Sequence, residues 1–378
     1  MAVEKSMDNQ DVGIGTGVLT WIVRLVIIVA IPIITFLGLY AGFIFLRDSD
    51  APKWFVTIVA IIWGVGGVAV LFWVFNWIIE LFPDTWRSRL QPFIFVGPAV
   101  AILTWYLAFP VVRTFYISLF NRDGPQYGQF VGLANYVTVF TDRLMREAFR
   151  NNIFLWILFG VPLTVGFGLV IATLADRSKF ERISKAMIFL PMAISFVGAS
   201  VIWNFIYVVR PVDAPQIGLL NAVVVALGGT PRAWPAFTAI SPWNNLFLVI
   251  IVAWLQTGFA MVLFSAALKG IPDEILEAAR VDGANEIQVF FRIMVPTIRG
   301  TIITVTTTIV IFTLKIFDVV WVMTGGQFGT DVIATQFYRQ SFIARNAGYG
   351  SAIAIILLIA VIPVMIYNLR QFREQEAF

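Results

Sequence analysis

The sequence predicts an all-α polytopic transmembrane helix bundle of about eight spans, with one helical loop on the cytoplasmic side. Of its 378 residues, 59% are hydrophobic and only 13% are charged, a composition that few soluble folds tolerate. The apolar residues are collected into runs long enough to cross a hydrocarbon core of about 30 Å. Lys and Arg are denser in alternate connecting segments, which is typical of a chain that crosses a membrane several times.

Eight apolar runs are the predicted spans. They cover roughly residues 25–46, 54–82, 92–120, 150–175, 185–208, 244–268, 300–323 and 348–369. Pro83 and Pro92 bracket the charged connector after the second run. We therefore expect two regions: a cytosolic tail with two accessory spans over residues 1–90, and a six-helix core over residues 91–378.

The distribution of basic residues predicts the orientation. On one side of the predicted membrane, 13 Lys and Arg lie in the 76 residues of segments 1–17, 83–91, 176–185, 269–299 and 370–378. On the other side, 10 lie in the 96 residues of segments 47–53, 121–150, 209–243 and 324–347. Because cytoplasmic segments carry the excess of Lys and Arg, we expect both termini in the cytoplasm. The loop over residues 269–299 is then cytoplasmic as well.

This loop is charged and favours helix, although it lies between two apolar runs. Two sets of apolar residues in it fall at helical spacing: Ile275, Leu276 and Ala279, then Val289, Phe290 and Ile293. Gly283 separates the two sets, and glycine readily ends one helix and turns the chain into another. The pattern alone fits either a helical pair that docks against a partner or a surface hairpin lying on lipid headgroups.

Nine residues of the loop resemble the EAA loop of ABC importer permeases, whose pattern is E-A-A-x-x-D-G-A-x5-F-x-x-I-x-L-P. They keep its spacing without a gap: Glu277, Ala278, Ala279, Asp282, Gly283, Ala284, Phe290, Ile293 and Pro296. Val295 stands where the pattern has leucine. In that family the loop is the coupling helix region that contacts a cytoplasmic ATPase, so the resemblance implies this role for the nine residues.

Further segments resemble sugar-type members of the same family. They are F-V-G-L-A-N-Y at residues 130–136, F-L-P-x-A-I-S at residues 189–195 and M-T-G-G at residues 323–326. The two extra spans before the core are similar to the eight-span subunit of maltose-type importers. That subunit often has a large folded insert in its second outer loop, for which residues 121–150 are too few.

The resemblance implies the permease subunit of an ATP-driven, binding-protein-dependent importer of a carbohydrate or glucoside-like solute. Such a subunit is a multi-pass protein of the inner membrane of a bacterial-type cell, forms half of the translocation path and works by alternating access. The implied partners are a second homologous permease in a heterodimer, a cytoplasmic ATPase dimer, an extracytoplasmic solute-binding protein and the lipid bilayer. The chain has no G-x-x-x-x-G-K-[ST] motif, so we expect no cofactor in it, with ATP and Mg bound by the partner ATPase.

The resemblance also implies a solute site between the spans on either side of the loop. The corresponding positions are Leu255, Gln256, Phe259, Phe312, Thr313, Lys315, Ile316 and Asp318. Lys315 and Asp318 also stand out by themselves, because they lie three residues apart in an apolar run and are predicted to share one helix face. Since a charge within a membrane is costly, the pair either lines the translocation path or ties its helix to a neighbour through an ion pair.

Composition excludes some functions and leaves others open. The chain has no Cys and no His, which removes thiolate and Cys–metal sites and the commonest general base, and we predict neither a catalytic residue nor a metal site. The net charge of +4 is spread through the loops, so no nucleic-acid partner is expected. Three alternatives remain: an ABC permease for another solute such as a polyamine or phosphate, a gradient-driven secondary transporter, and a membrane-embedded enzyme.

Overall fold

The computed structural model describes residues 14–80, 82 and 84–376. Most of the predicted tail over residues 1–17 therefore lies outside the described residues. The described chain is built of helices, and within it a single β-bridge joins Phe120 to Phe130. A bilayer offers no partners to backbone N–H and C=O groups, so apolar spans satisfy these groups internally by forming helices.

Six helices of the described chain are long and apolar enough to cross a membrane, and two bent helix pairs bring the candidate spans to eight. We number them first to eighth in chain order: Val26–Asp48, Lys53–Glu80, Trp86–Ser118, Arg143–Asp176, Glu181–Ala193 with Phe196–Tyr207, Trp243–Lys269, Glu286–Thr297 with Arg299–Leu314, and Ala347–Gln371. The predicted fold class, an all-α bundle of about eight spans, is confirmed.

Shorter helices occupy the connections. They are Gly124–Tyr127, Ala134–Thr141, Leu219–Ala226, Asp273–Val281, Asp318–Thr324 and Ile333–Tyr338. Tighter 3-10 turns cover Leu190–Ala193, Trp234–Ala236, Thr238–Ile240 and Trp243–Asn245, and wider π-helical turns cover Thr104–Ala108, Asn151–Gly160, Phe290–Met294 and Arg339–Ile343. The helix of the first span begins at Ile14, and that of the eighth span ends at Glu376.

The chain divides into two compact units, Met1–Pro110 and Val111–Phe378. In the first unit the first two spans touch, and the indole nitrogen of Trp63 donates to the carbonyl of Leu39 at 3.3 Å. The second unit contains the loop over residues 269–299 and every predicted site residue. The boundary predicted near residue 90 stays a prediction.

The sixth span is the centre of the second unit. In its most apolar stretch 61% of the residues are buried, against 33% in the fourth span and 17% in the eighth. Its C-terminal half, with Ala260 and Phe264, packs in one apolar cluster with Val289 of the loop. Its N-terminal half packs in a second cluster, where Leu248 meets Trp156 of the fourth span. The loop and the end of the sixth span therefore share one core.

The fifth span, which the sequence predicts as a single helix, is bent. The halves of the fifth span meet at 104°. Pro191 lies in the 3-10 turn before the bend, and Ser195 caps the second half by accepting a hydrogen bond from the Gly198 N–H at 3.1 Å. A second bend, of 72° at Ile298, separates Glu286–Thr297, which belongs to the loop over residues 269–299, from Arg299–Leu314, which belongs to the predicted seventh span. The first bend opens the cavity described below.

Asparagines fix the ends of the fourth and sixth spans that lie away from the loop over residues 269–299. The Asn151 side-chain amide donates to the carbonyl oxygens of Gly329 at 2.9 Å and Asp331 at 2.8 Å. The Asn245 amide donates to the same Gly329 carbonyl at 3.1 Å. The connection between the seventh and eighth spans is thereby tied to both helices.

Candidate functional site

The predicted coupling loop contains two helices separated by a left-handed glycine. The first helix is Asp273–Val281, and Gly283 follows it with a φ of 86°. The N–H of Ala284 donates to the carbonyl of Ala279 at 3.0 Å, and the N–H of Gly283 donates to the carbonyl of Arg280 at 3.0 Å. This pair of hydrogen bonds is the Schellman ending of a helix, which requires a residue that tolerates positive φ at Gly283.

The second helix begins with a capping box. The Asn285 side chain accepts from the Gln288 N–H at 2.9 Å, and the Gln288 side chain accepts from the Asn285 N–H at 2.9 Å. The helix covers Glu286–Val289 and continues as the π-helical turn Phe290–Met294. A left-handed glycine and a capping box, both local signals, therefore set the turn between the two helices.

The nine motif residues divide between two faces of the loop. Four face the core: Ala279 is buried in the apolar cluster at the end of the sixth span, and three pack against that cluster, namely Ala284, Phe290 and Ile293. The other five are exposed: Glu277, Ala278, Asp282, Gly283 and Pro296. Four of the motif residues therefore contribute to the packing of the fold, and the other five are accessible at the surface.

The loop also presents an apolar patch that the sequence motif does not mark. Its four side chains are 47%, 86%, 71% and 64% exposed: Ile275, Val281, Ile287 and Phe291. We call them the docking patch. Val281, Ile287 and Phe291 fall outside the two apolar sets that the sequence marks, whereas Ile275 belongs to the first set and is nevertheless exposed. Apolar side chains exposed together on a charged loop are typical of an interaction surface.

An ion pair joins the two helices of the loop. Nε of Arg280, on the first helix, lies 2.8 Å from Oε1 of Glu286, on the second. This carboxylate raises the pKa of Arg280 above its ordinary value, so the guanidinium stays charged. Both side chains are about half exposed, so the pair orients the helices more than it stabilises the fold.

A cavity of about 410 Å³ lies where the fifth, sixth and seventh spans meet. Its lining residues are Met192, Ile194, Phe196, Leu255, Gln256, Phe259, Thr308 and Phe312. Four of the eight predicted solute-site residues are therefore brought together: Leu255, Gln256, Phe259 and Phe312. The Gln256 amide has no hydrogen-bond partner among the described residues, so its donor and acceptor atoms remain available to a solute.

Two other predicted solute-site residues pack into the protein instead of lining the cavity. The Thr313 side chain is buried, and its hydroxyl donates to the Ile309 carbonyl at 2.7 Å within the same helix. Ile316 is buried in the apolar cluster that also contains Val319 and Val320. The cluster that contains Ile316 also contains Leu255, which lines the cavity.

The prediction that Lys315 and Asp318 share one helix face is wrong. The helix of the seventh span ends at Leu314, and Asp318 begins a separate helix, Asp318–Thr324. Lys315 is exposed and Asp318 is half-buried, and neither side chain forms an ion pair within the described chain. The sequence gives no warning of this break, because residues 301–323 contain neither Gly nor Pro.

The residues from the fifth span were missed as cavity residues. Met192, Ile194 and Phe196 reach the cavity because the span bends between its two halves. The signal was present in the sequence, since Pro191 and Ser195 stop one helix and start the next. A straight fifth span would place these three side chains on different faces.

A larger groove of about 510 Å³ lies between the fourth, fifth and sixth spans. Its lining includes Phe167, Trp203, Trp254 and Thr257. The Thr257 hydroxyl already donates to the Ala253 carbonyl at 2.6 Å, and the indole groups of the two tryptophans can donate a hydrogen bond but not accept one, whereas Gln256 offers both donor and acceptor atoms. The smaller cavity at Gln256 is therefore the better candidate for binding a polar solute.

Comparison with known proteins gives a family match over more than half of the chain. The profile of the family described as "Binding-protein-dependent transport system inner membrane component" matches residues 164–374. This range contains the loop over residues 269–299 and every residue that lines the cavity.

Two curated proteins are similar over most of their length. The osmoprotective compounds uptake permease protein GgtC of Synechocystis sp. is 52% identical over 282 residues, which cover 75% of this chain and 99% of that protein. The alpha-glucoside transport system permease protein AglF of Rhizobium meliloti is 47% identical over 330 residues, which cover 83% of this chain and 96% of that protein.

A solved structure shares the fold. It is a bacterial ABC transporter involved in the import of the acidic polysaccharide alginate, with a TM-score of 0.62 and 20% sequence identity. The match covers 77% of this chain and 99% of that one. At this identity the likeness is one of helix arrangement.

Proposed function

The chain belongs to the binding-protein-dependent transport system inner membrane components, and from that premise we propose that it imports a carbohydrate or glucoside-like solute through the cavity at Gln256. It is a multi-pass permease subunit of a binding-protein-dependent importer. The observation that carries the proposal is the cavity itself, in which the Gln256 amide lies among aromatic rings and has no hydrogen-bond partner in the described part of the chain.

The cavity has the chemistry that a polyhydroxylated ring requires. Phe259 and Phe312 supply apolar surface, and Gln256 supplies one acceptor and two donor hydrogens for hydroxyl groups. A volume of about 410 Å³ lies within the usual range for small-molecule sites. The similarity to permeases named for alpha-glucosides and for osmoprotective compounds supports the same class of solute.

The remaining predicted residues have different proposed roles. Lys315 and Asp318 follow Phe312 at the end of the seventh span, where they line the path beyond the cavity as charged groups. Thr313 and Ile316 keep the cavity wall in place by packing. Because the seventh span leads away from the cytoplasmic loop, a solute that enters from outside meets Lys315 and Asp318 first and the hydrogen-bonding groups of Gln256 afterwards.

The proposed assembly contains three kinds of partner. A second homologous permease completes the path, and an extracytoplasmic binding protein delivers the solute. A cytoplasmic ATPase dimer contacts the docking patch and binds the ATP and Mg that the transport cycle consumes. The exposed apolar side chains of the patch support this contact, and with it the orientation in which the loop and both termini are cytoplasmic.

The proposed mechanism is alternating access. The partner ATPase moves the helix Asp273–Val281, which shares an ion pair with the second helix and a core with the sixth span. Because Gln256 and Phe259 lie on the sixth span, a movement at its end changes the cavity. The cavity then opens to one side of the membrane at a time.

Replacing Gln256 with leucine tests the cavity. Loss of the amide leaves solute hydroxyls without partners, and we expect KM for the transported solute to rise about tenfold. The measurement is uptake of labelled glucosides by proteoliposomes that contain the whole transporter. Thr257→Val is the matched control, because its hydroxyl is bonded within its own helix and lines the other groove.

Two results would contradict this proposal. One is an unchanged KM in Gln256→Leu together with a raised KM in Thr257→Val. The other is uptake that persists without ATP while the membrane potential is held, which would identify a gradient-driven transporter.

A further inference from the structure

The segment between the fourth and fifth spans, residues 176–185, forms ion pairs on two sides. Arg177 Nη2 lies 2.7 Å from Oε2 of Glu286 on the second helix of the loop. Glu181 forms an ion pair with Lys269 at the end of the sixth span. This segment, which we call the link, therefore joins the loop, the end of the sixth span and the start of the fifth.

The link is fixed firmly at both ends. Lys185 forms ion pairs with Asp176 and Glu181, and the Ser265 hydroxyl of the sixth span donates to Asp176 Oδ1 at 2.7 Å. The side chains of Lys185 and Asp176 are only 19% and 15% exposed. Ion pairs shielded in this way are weakly screened by salt and costly to break.

The ion pair between the link and the loop is exposed to solvent, unlike the shielded ion pairs of Lys185. The side chains of Arg177 and Glu286 are 52% and 50% exposed, so water replaces either partner at little cost. Glu286 is also shared, because Arg280 of the first loop helix binds its other oxygen at 2.8 Å. The exposed carboxylate of Glu286 therefore connects both loop helices to the link, whose ion pairs at Lys185 are shielded from solvent.

We infer that Arg177 and Glu286 are positioning residues that transmit movement of the coupling loop to the fifth span. The last five residues of the link are the start of Glu181–Ala193, the first half of that span, and the bend at the end of this helix carries Met192 and Ile194 into the cavity. A displacement of Glu286 therefore reaches the cavity wall through the fifth span as well as through the sixth. This inference rests on the proposed function, since it assigns the loop to ATPase coupling.

A double-mutant cycle tests the inference. The variants are Arg177→Gln, Glu286→Gln and the double variant, each in the complete transporter reconstituted in proteoliposomes. Solute taken up per ATP hydrolysed is expected to fall about fivefold at most in each single variant, because an exposed ion pair contributes little free energy. The double variant should fall no further than Glu286→Gln alone, because Arg177→Gln removes only a contact that Glu286→Gln already breaks.

Arg182→Gln is the matched control. Arg182 lies in the same link and is exposed, and its side chain has no ion-pair or hydrogen-bond partner within the described chain. Its uptake per ATP should stay at the wild-type value. In all four variants the transition temperature and the amount of co-purified ATPase should stay unchanged, because the Arg177–Glu286 pair is exposed.

Three outcomes separate this inference from the function on which it rests. If both single variants took up as much solute per ATP hydrolysed as the wild type, the inference would be overturned and the proposed function would stand. Multiplicative losses in the double variant, or a lowered transition temperature, would also overturn it and show a structural role. A wild-type chain that purifies without any nucleotide hydrolase would overturn the proposed function and the inference with it.

Discussion

A Gly283→Pro variant is expected to lose solute uptake altogether while its membrane bundle remains folded. Gly283 has a φ of 86°, whereas proline is restricted to about −65°. Proline also removes the N–H that donates to the Arg280 carbonyl. Together these changes cost roughly 3 kcal/mol or more, which lowers the population of the native loop more than about 100-fold.

The measurement is uptake by the reconstituted transporter, combined with the amount of ATPase that co-purifies. Gly283→Asn is the matched control, because asparagine tolerates the left-handed conformation. A Cβ atom at this position meets nothing within 4 Å, so only the backbone conformation distinguishes the two variants. Normal uptake in Gly283→Pro would show that the turn between the two helices has no part in coupling.

A second large effect is expected from the docking patch. Placing aspartate at both Ile287 and Phe291, which are 71% and 64% exposed, puts two charges where the proposed ATPase interface is apolar. Residues at the centre of an interface commonly contribute 2 kcal/mol or more, so we expect ATPase binding to weaken more than about 30-fold. Since both side chains are exposed, the folding of the permease should be unaffected.

Binding of the purified ATPase to the detergent-extracted permease measures this effect. Ile287→Leu serves as the control, because it keeps the apolar character and the approximate size of the side chain. Wild-type binding by the double aspartate variant would assign the patch to the lipid headgroups, the alternative that the sequence pattern left open.

Features governed by neighbouring residues were predictable from the sequence. Long apolar runs give the eight spans, because a bilayer forces such runs into helices. Gly283 and the capping box of Asn285 give the turn of the loop, because both signals act within a few residues. The resemblance supplied four residues of the cavity, Leu255 and Gln256 among them, but not their distance from one another.

Features that depend on the packing of distant segments were not predictable. The ion pairs of the link join residues far apart in sequence, with Arg177 and Glu286 separated by 109 positions. The break after Leu314 follows no Gly or Pro, so nothing local distinguishes Lys315 from a residue inside a helix. The bend of the fifth span was predictable only in part. Pro191 and Ser195 indicate a break in the helix but not its angle of 104°.

The most direct test of the account uses a single cysteine at Ile287, which is unique because the chain contains no other cysteine. A membrane-impermeant thiol reagent applied to intact cells should leave Ile287→Cys unlabelled. A photo-activated cross-linker attached there in inside-out vesicles should capture a nucleotide hydrolase. Labelling from outside intact cells, with no hydrolase captured from the other side, would contradict the proposal that this loop couples the permease to an ATPase.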